Sequence, residues 1–172
     1  GLLRVRCEDG GELLDIPQSR AFAVADHQIA HIYITEPTLI QEVRRIAAAL
    51  PGVEGVFDRR EQGALGIDHP HSGELVALAR SDSWFTYYYW LDDRCAPDFA
   101  RLVEIHRKPG YDPVELFLDP AIRFPKLAIA WRLAKRALGL RTLMDVIPLD
   151  PTLVRGSHGR IIDDQTRGPL LI

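Results

Sequence analysis

Apolar and polar positions alternate most clearly in the first half of the chain. Residues Ala21 to Ala25 and Ile29 to Ile34 are short runs rich in Val, Ile, Phe and Tyr, separated by Asp26-His27-Gln28. They predict two strands of a hairpin or one long kinked strand. From Thr38 to Leu50 the period lengthens: Leu39, Ile40, Val43, Ile46, Ala47 and Leu50 share one face, Pro37 opens the run, and Pro51-Gly52 closes it. This is a helix pattern. Val53 to Phe57 and, more weakly, Glu74 to Ala79 predict further strands, with a glycine-rich loop from Arg59 to Gly73 between them. Strands in this order, with one amphipathic helix, predict an α+β unit: a small mixed or antiparallel sheet with one face covered by helix.

The pattern changes after residue 83. Trp84 to Tyr89 and Trp90 place six aromatics in seven residues. Such a run is either a strand whose two faces both find cover or a wall beside a planar or sugar-bearing ligand. A short helical stretch near Asp98 to Ile105 leads into His106-Arg107-Lys108-Pro109-Gly110-Tyr111, a non-repetitive loop of the kind that often packs over a site. Pro125 to Leu138 predicts a second helix, cationic on one side through Lys126, Arg132, Lys135 and Arg136, and ended by Gly139. The predicted division is therefore 1–83, a small α+β unit, and 84–172, an aromatic strand, long loop, helix and irregular C-terminal segment.

With 172 residues the chain can bury one sizeable core. A net charge of −3 gives no general attraction to a nucleic acid polymer or an acidic membrane, so neither is expected as a partner. No apolar run reaches transmembrane length, and no signal peptide is visible, which makes the cytoplasm the default expectation. Cys7 and Cys95 lack metal-type spacing and are expected to be reduced or buried thiols.

Histidines carry the candidate chemistry. His158 lies in Gly156-Ser157-His158-Gly159, where flanking glycines can present an imidazole from a loop; the same residues also suit a plain surface turn. His27 and His31, four apart on a strand pattern, fall on one side, and His69 and His71 flank Pro70. A zinc site would have to be assembled from such distant segments, because no finger spacing or H-E-x-x-H helix is present. His106, Arg107 and Lys108 form either a solvated turn or an oxyanion clamp for a substrate phosphate. No nucleophile elbow or P-loop occurs.

Taken in order, Ser19 to Gln28, Leu50-Pro51-Gly52-Val53-Glu54, Ser72-Gly73-Glu74-Leu75-Val76 and Gly156 to Arg160 resemble the alkaline phosphatase superfamily, in its nucleotide pyrophosphatase/type I phosphodiesterase branch. The resemblance runs over nearly the whole chain but matches only the C-terminal portion of such an enzyme. It implies a piece of a larger α/β fold, a hydrolase of phosphate esters or pyrophosphates using two metal ions, usually zinc, and a small phosphorylated substrate. It assigns His158 as a zinc ligand. Asp26 and His27 match an Asp-His-Gly ligand motif, with Gln28 in place of the glycine; Asp68-His69 is followed by Pro70. The nucleophile and the other ligands would lie on an upstream segment, so the chain alone is expected to be inactive. Two other readings stand beside this one. The first is a non-catalytic α+β binding or assembly module. The second is a self-contained metalloenzyme drawing on His27, His31, His106 and His158.

Overall fold

The computed structural model describes all residues except 9, 157, 161–165 and 167–172. Ser157 of the glycine-flanked motif therefore lies outside the described residues. The chain opens with a hairpin, β1 (Val5–Glu8) and β2 (Gly11–Leu14), paired antiparallel from Val5↔Leu14 to Glu8↔Gly11. A second hairpin follows, β3 (Ala21–Asp26) and β4 (Ile29–Ile34), in the register Ala21↔Ile34 to Asp26↔Ile29. A 3₁₀ turn at Pro37–Leu39 leads into α1 (Ile40–Ala48), then β5 (Val53–Asp58), α2 (Arg59–Ala64) and β6 (Leu75–Ala79). The four strands β3 to β6 form one antiparallel sheet in the order β3-β4-β6-β5. The expected α+β class is the one observed.

Alternation along the strands sets the two faces of this sheet. Ala21 and Ala25 of β3, Ala30, Ile32 and Ile34 of β4, and Leu75 and Ala77 of β6 turn to one side. There they form a core with Leu39, Val43 and Ala47 from the α1 region. Strand β6 is an unbroken apolar run with every residue buried, as a central strand covered on both sides requires. The expected loop from residue 59 to 73 contains α2 instead. Asp58 accepts from the backbone N–H groups of Arg60 and Glu61, and the Asp58 N–H in turn donates to the Glu61 carboxylate. This reciprocal cap satisfies donors that a six-residue helix would otherwise leave exposed. Buried Gln62 then ties α2 to the sheet by donating to the carbonyls of Phe57 and Gly73.

The second half is mostly irregular. Residues 84–90 are not a strand; Tyr87 and Trp90 are buried with Phe99, Ala100, Leu102 and Leu149 in a second core. The aromatic run is thus largely interior, held by edge-on and stacked ring pairs such as Tyr88–Trp90 at 4.8 Å. The two cores are not segregated at residue 83, since Leu13 packs on the second and Phe85 on the first. Short 3₁₀ turns at Asp98–Arg101 and Ile105–Arg107 replace the helix expected near 98–105.

Helix α3 (Pro125–Ala137) matches the expected span but buries none of its residues. Leu127 is 67% exposed and Trp131 62% exposed; the Arg132 guanidinium, 2.6 Å from Asp145, tethers the helix to the body. Cys7 is exposed and Cys95 half-buried, and both are free thiols, in keeping with the reduced rather than the buried half of the expectation.

These exposures separate what the fold needs from what it tolerates. Leu75→Ala, at a position with no exposure, is expected to cost about 3 kcal/mol, whereas Leu127→Ala should stay within about 0.5 kcal/mol of wild type. Denaturant unfolding of the two variants measures both; equal losses would mean that α3 is part of the cooperative core.

Candidate functional site

The hairpin turn between β3 and β4 is the centre of the candidate site. His27 takes a left-handed backbone conformation with φ 56°, the one non-glycine to do so among the described residues. A side chain in that region costs roughly 1–2 kcal/mol. The turn also buries the imidazole, 4% exposed, and neither ring nitrogen has a hydrogen-bond partner among the described residues. An unsatisfied buried polar group costs about 1–3 kcal/mol more. Two separate penalties at one residue mark it as a place where packing alone does not explain the sequence.

Three aromatic rings enclose His27. Its ring centroid is 4.4 Å from His158 in a stacked arrangement, 4.8 Å from Tyr111 and 5.3 Å from Trp84. Tyr111 is delivered by Gly110, whose φ of 152° lets the chain run against β3, with the Tyr111 N–H donating to the Ala25 carbonyl at 3.0 Å. A Cβ on Gly110 would sit 2.9 Å from that same carbonyl oxygen, so the approach requires glycine. His158 is delivered by a backbone bond, the Gln28 N–H donating to the His158 carbonyl at 2.9 Å. Gly159, with φ 99°, turns the chain away where a side chain would crowd the Asp26 carbonyl at 3.2 Å.

The structure therefore brings together Asp26, His27 and His158, the three residues the sequence offered as metal ligands. The His158 Nε2 lies 3.7 Å from an Asp26 carboxylate oxygen, and both side chains are 56% exposed. Burial, then the neighbouring His158, holds the His27 imidazole below its ordinary pKa, so the ring is kept neutral with a lone pair free. That is the protonation state a metal ligand needs. The rings stack face to face, however, and among the described residues no group of three or more His, Cys, Asp or Glu side chains is arranged to hold a metal ion. The donor set fits part of a metal site, with N and O ligands of the type zinc accepts.

The other candidates lie elsewhere. His31 is on β4, facing away from the α1-covered core, and its Nδ1 accepts from the Gly73 N–H at 3.2 Å. It does not converge with His27. The His69 and His71 rings are 5.2 Å apart, joined by a bond from the His71 N–H to the His69 Nδ1, in an exposed turn. The expected clamp at 106–108 is not assembled. Lys108 is buried, its ammonium 2.7 Å from both Asp112 and Glu115. The Arg107 guanidinium pairs with Asp98 at 2.9 Å and lies over the Phe99 ring, while His106 is exposed. The charge at 108 is spent on buried carboxylates and that at 107 is shared with Asp98 at the surface, so the three side chains do not converge as one clamp.

The aromatic run, which the sequence offered as core or as a ligand wall, is divided: Trp84 stands beside His27 while Tyr87 and Trp90 fill the second core, and Tyr111 is a wall of the site that sequence reasoning did not single out. Tyr111 had a legible signal, since it follows Pro109-Gly110 in the loop flagged for its length. A cleft of about 240 Å³ opens beside the site, lined by Gln28, Ser81, Asp82, Ser83, Trp84 and Arg155 among others. Comparison with known families, with curated proteins and with solved structures finds no match. No helix among the described residues is long and apolar enough to cross a membrane.

Two measurements follow from these surroundings. Lys108→Ala leaves two carboxylates buried without their cation and is expected to destabilise the fold by about 3–5 kcal/mol in denaturant unfolding. A stable, well-folded Lys108→Ala chain would return Lys108 to a substrate role. The second concerns His31, held below its ordinary pKa by burial and then by Arg59, against a weaker opposing pull from Asp26. The unfolded chain binds a proton here more readily than the folded one, so the contribution to stability is complete above the unfolded pKa near 6.5 and falls below it. Thermal unfolding should therefore show Tm dropping from pH 7.5 to about 5.5. His31→Gln, which keeps an acceptor for Gly73, should flatten that drop; an unchanged profile would remove His31 as its source.

Proposed function

We propose that this chain is the C-terminal portion of a metal-dependent phosphodiesterase or nucleotide pyrophosphatase-like hydrolase, carrying part of a zinc centre and inactive by itself. The observation that supports this reading is the buried His27 imidazole, its two nitrogens unpartnered among the described residues, stacked on His158 beside Asp26. His158 and Asp26 are the ligands within reach of solvent, and His27 is the neutral imidazole behind them. When bound, a zinc pair supplies Lewis-acid stabilisation of the attacking and leaving oxygens of a phosphate ester. The chain's own residues hold and orient. The β3–β4 turn fixes Asp26 and His27, and the Gln28 N–H pins the His158 backbone so that its imidazole stays over that turn. The nucleophile and the remaining ligands come from an upstream segment of the same enzyme.

A second reading, a non-catalytic binding or assembly module, draws support from the uncovered apolar residues of α3, among them Leu127 and Trp131. The aromatic run does not serve that reading, because Tyr87 and Trp90 are core residues.

Calorimetric titration with zinc discriminates between them. Wild type is expected to bind zinc at micromolar affinity or weaker, as two or three donors permit, and His158→Ala should lose that binding. The wild-type chain should leave bis-(p-nitrophenyl) phosphate intact. Equal zinc binding by both variants, or none by either, would sink the half-site and favour the assembly module. Metal-dependent hydrolysis abolished by His158→Ala would instead establish a self-contained metalloenzyme.

A further inference from the structure

The cleft beside the half-site has the chemistry of a substrate subsite. Its floor is Gln28, whose side-chain amide donates to the carbonyls of Arg80 and Ser83 at 3.1 Å and is therefore locked in place. The Gln28 backbone is the one bonded to His158, and the Trp84 ring touches His27, so cleft and half-site share two walls. Arg155, three residues before His158, is exposed and lines the opening. It makes no ion pair among the described residues, in contrast to Arg107, Arg132 and Lys108, whose charges are matched by carboxylates. A guanidinium offers a planar pair of donors suited to phosphoryl oxygens. The remaining wall, Ser81, Asp82 and Ser83, offers hydroxyls and a carboxylate, which accept and donate to hydroxyl groups and repel a second phosphate. The volume of about 240 Å³ holds about eight waters, room for one sugar-sized group and not for a polymer.

We infer that Arg155 holds the phosphoryl group of the substrate at the half-site, and that the cleft takes the compact, hydroxylated substituent this group carries, against Trp84. The assignment rests on the proposed hydrolase reading and gives its substrate class: phosphate esters of sugar-like alcohols. The cation expected at 106–108 is supplied from the His158 loop instead.

The test is an amide NMR titration of the metal-free 172-residue chain with ribose 5-phosphate and, separately, with inorganic phosphate. Ribose 5-phosphate should shift the Ser83 and Trp84 amides and the Trp84 indole N–H; inorganic phosphate should bind more weakly and leave the indole unmoved. Arg155→Ala, at an exposed position that does not threaten folding, should weaken ribose 5-phosphate about tenfold, with Arg155→Lys recovering part of the loss. No binding, equal affinity in Arg155→Ala, or shifts confined to other surfaces would overturn the assignment. Omitting metal keeps the two readings apart. Zinc binding lost in His158→Ala alongside no ribose 5-phosphate binding overturns the cleft alone. Arg155-dependent binding in a chain that takes up no zinc upholds the cleft and overturns the metal half-site.

Discussion

A two-residue reversal at His27 and Gln28 holds four distant parts of the chain in register. The His27 carbonyl accepts from Phe85, the Gln28 carbonyl accepts from Ala79, the Gln28 N–H donates to His158, and the Gln28 side chain closes the loop from 80 to 83. Both carbonyls of this turn and the Gln28 N–H are therefore engaged outside its own hairpin. The end of β6, the start of the aromatic run and the C-terminal loop all meet at one point because of it. A left-handed residue there gives the reversal its direction, and the sequence uses histidine where asparagine or glycine would be the easier choice.

Polar groups are buried by two opposite routes, at Lys108 and at His27. At Lys108 the charge is met by Asp112 and Glu115, and Asp112 also accepts from the Val114 N–H, so the loop from 108 to 115 is built around a charge-matched centre. At His27 the ring is neutral, enclosed by aromatics and unmatched. The first arrangement is what a loop without regular structure needs in order to be rigid. The second contributes nothing to rigidity that a leucine could not supply, which is why the functional weight falls on it.

Much of this was legible in the sequence, and the exceptions have physical causes. The β3–β4 hairpin, α1, β5, β6 and α3 could be read because their apolar periods are long enough to be distinct. The β1–β2 hairpin buries little, so its apolar positions carry no pattern, although Asp9-Gly10 is a turn signal. Helix α2 was masked by Gly63 and Gly66, while its Asp58-x-x-Glu61 cap was present in plain view. Of the site, Asp26, His27 and His158 were singled out one by one. Their convergence depends on backbone bonds such as Gln28 to His158, which no side-chain pattern records. The clamp at 106–108 misled because charge alone does not reveal whether Asp98, Asp112 and Glu115 lie close enough to neutralise it.

The bare face of α3 bears on how the chain behaves as a solute. Between Asp119 and Asp145 there are six basic residues and no acidic one, although the whole chain carries −3, so the remainder carries −9. Phe124, Leu127, Trp131 and Leu138, each more than half exposed, sit amid that positive charge. At low ionic strength like charges keep two such faces apart, while added salt shortens their repulsion to a few ångströms and leaves the apolar attraction intact. Salt therefore acts on this thirteen-residue helix in two opposed ways, weakening its repulsion from a like face and its attraction to the acidic remainder of another copy.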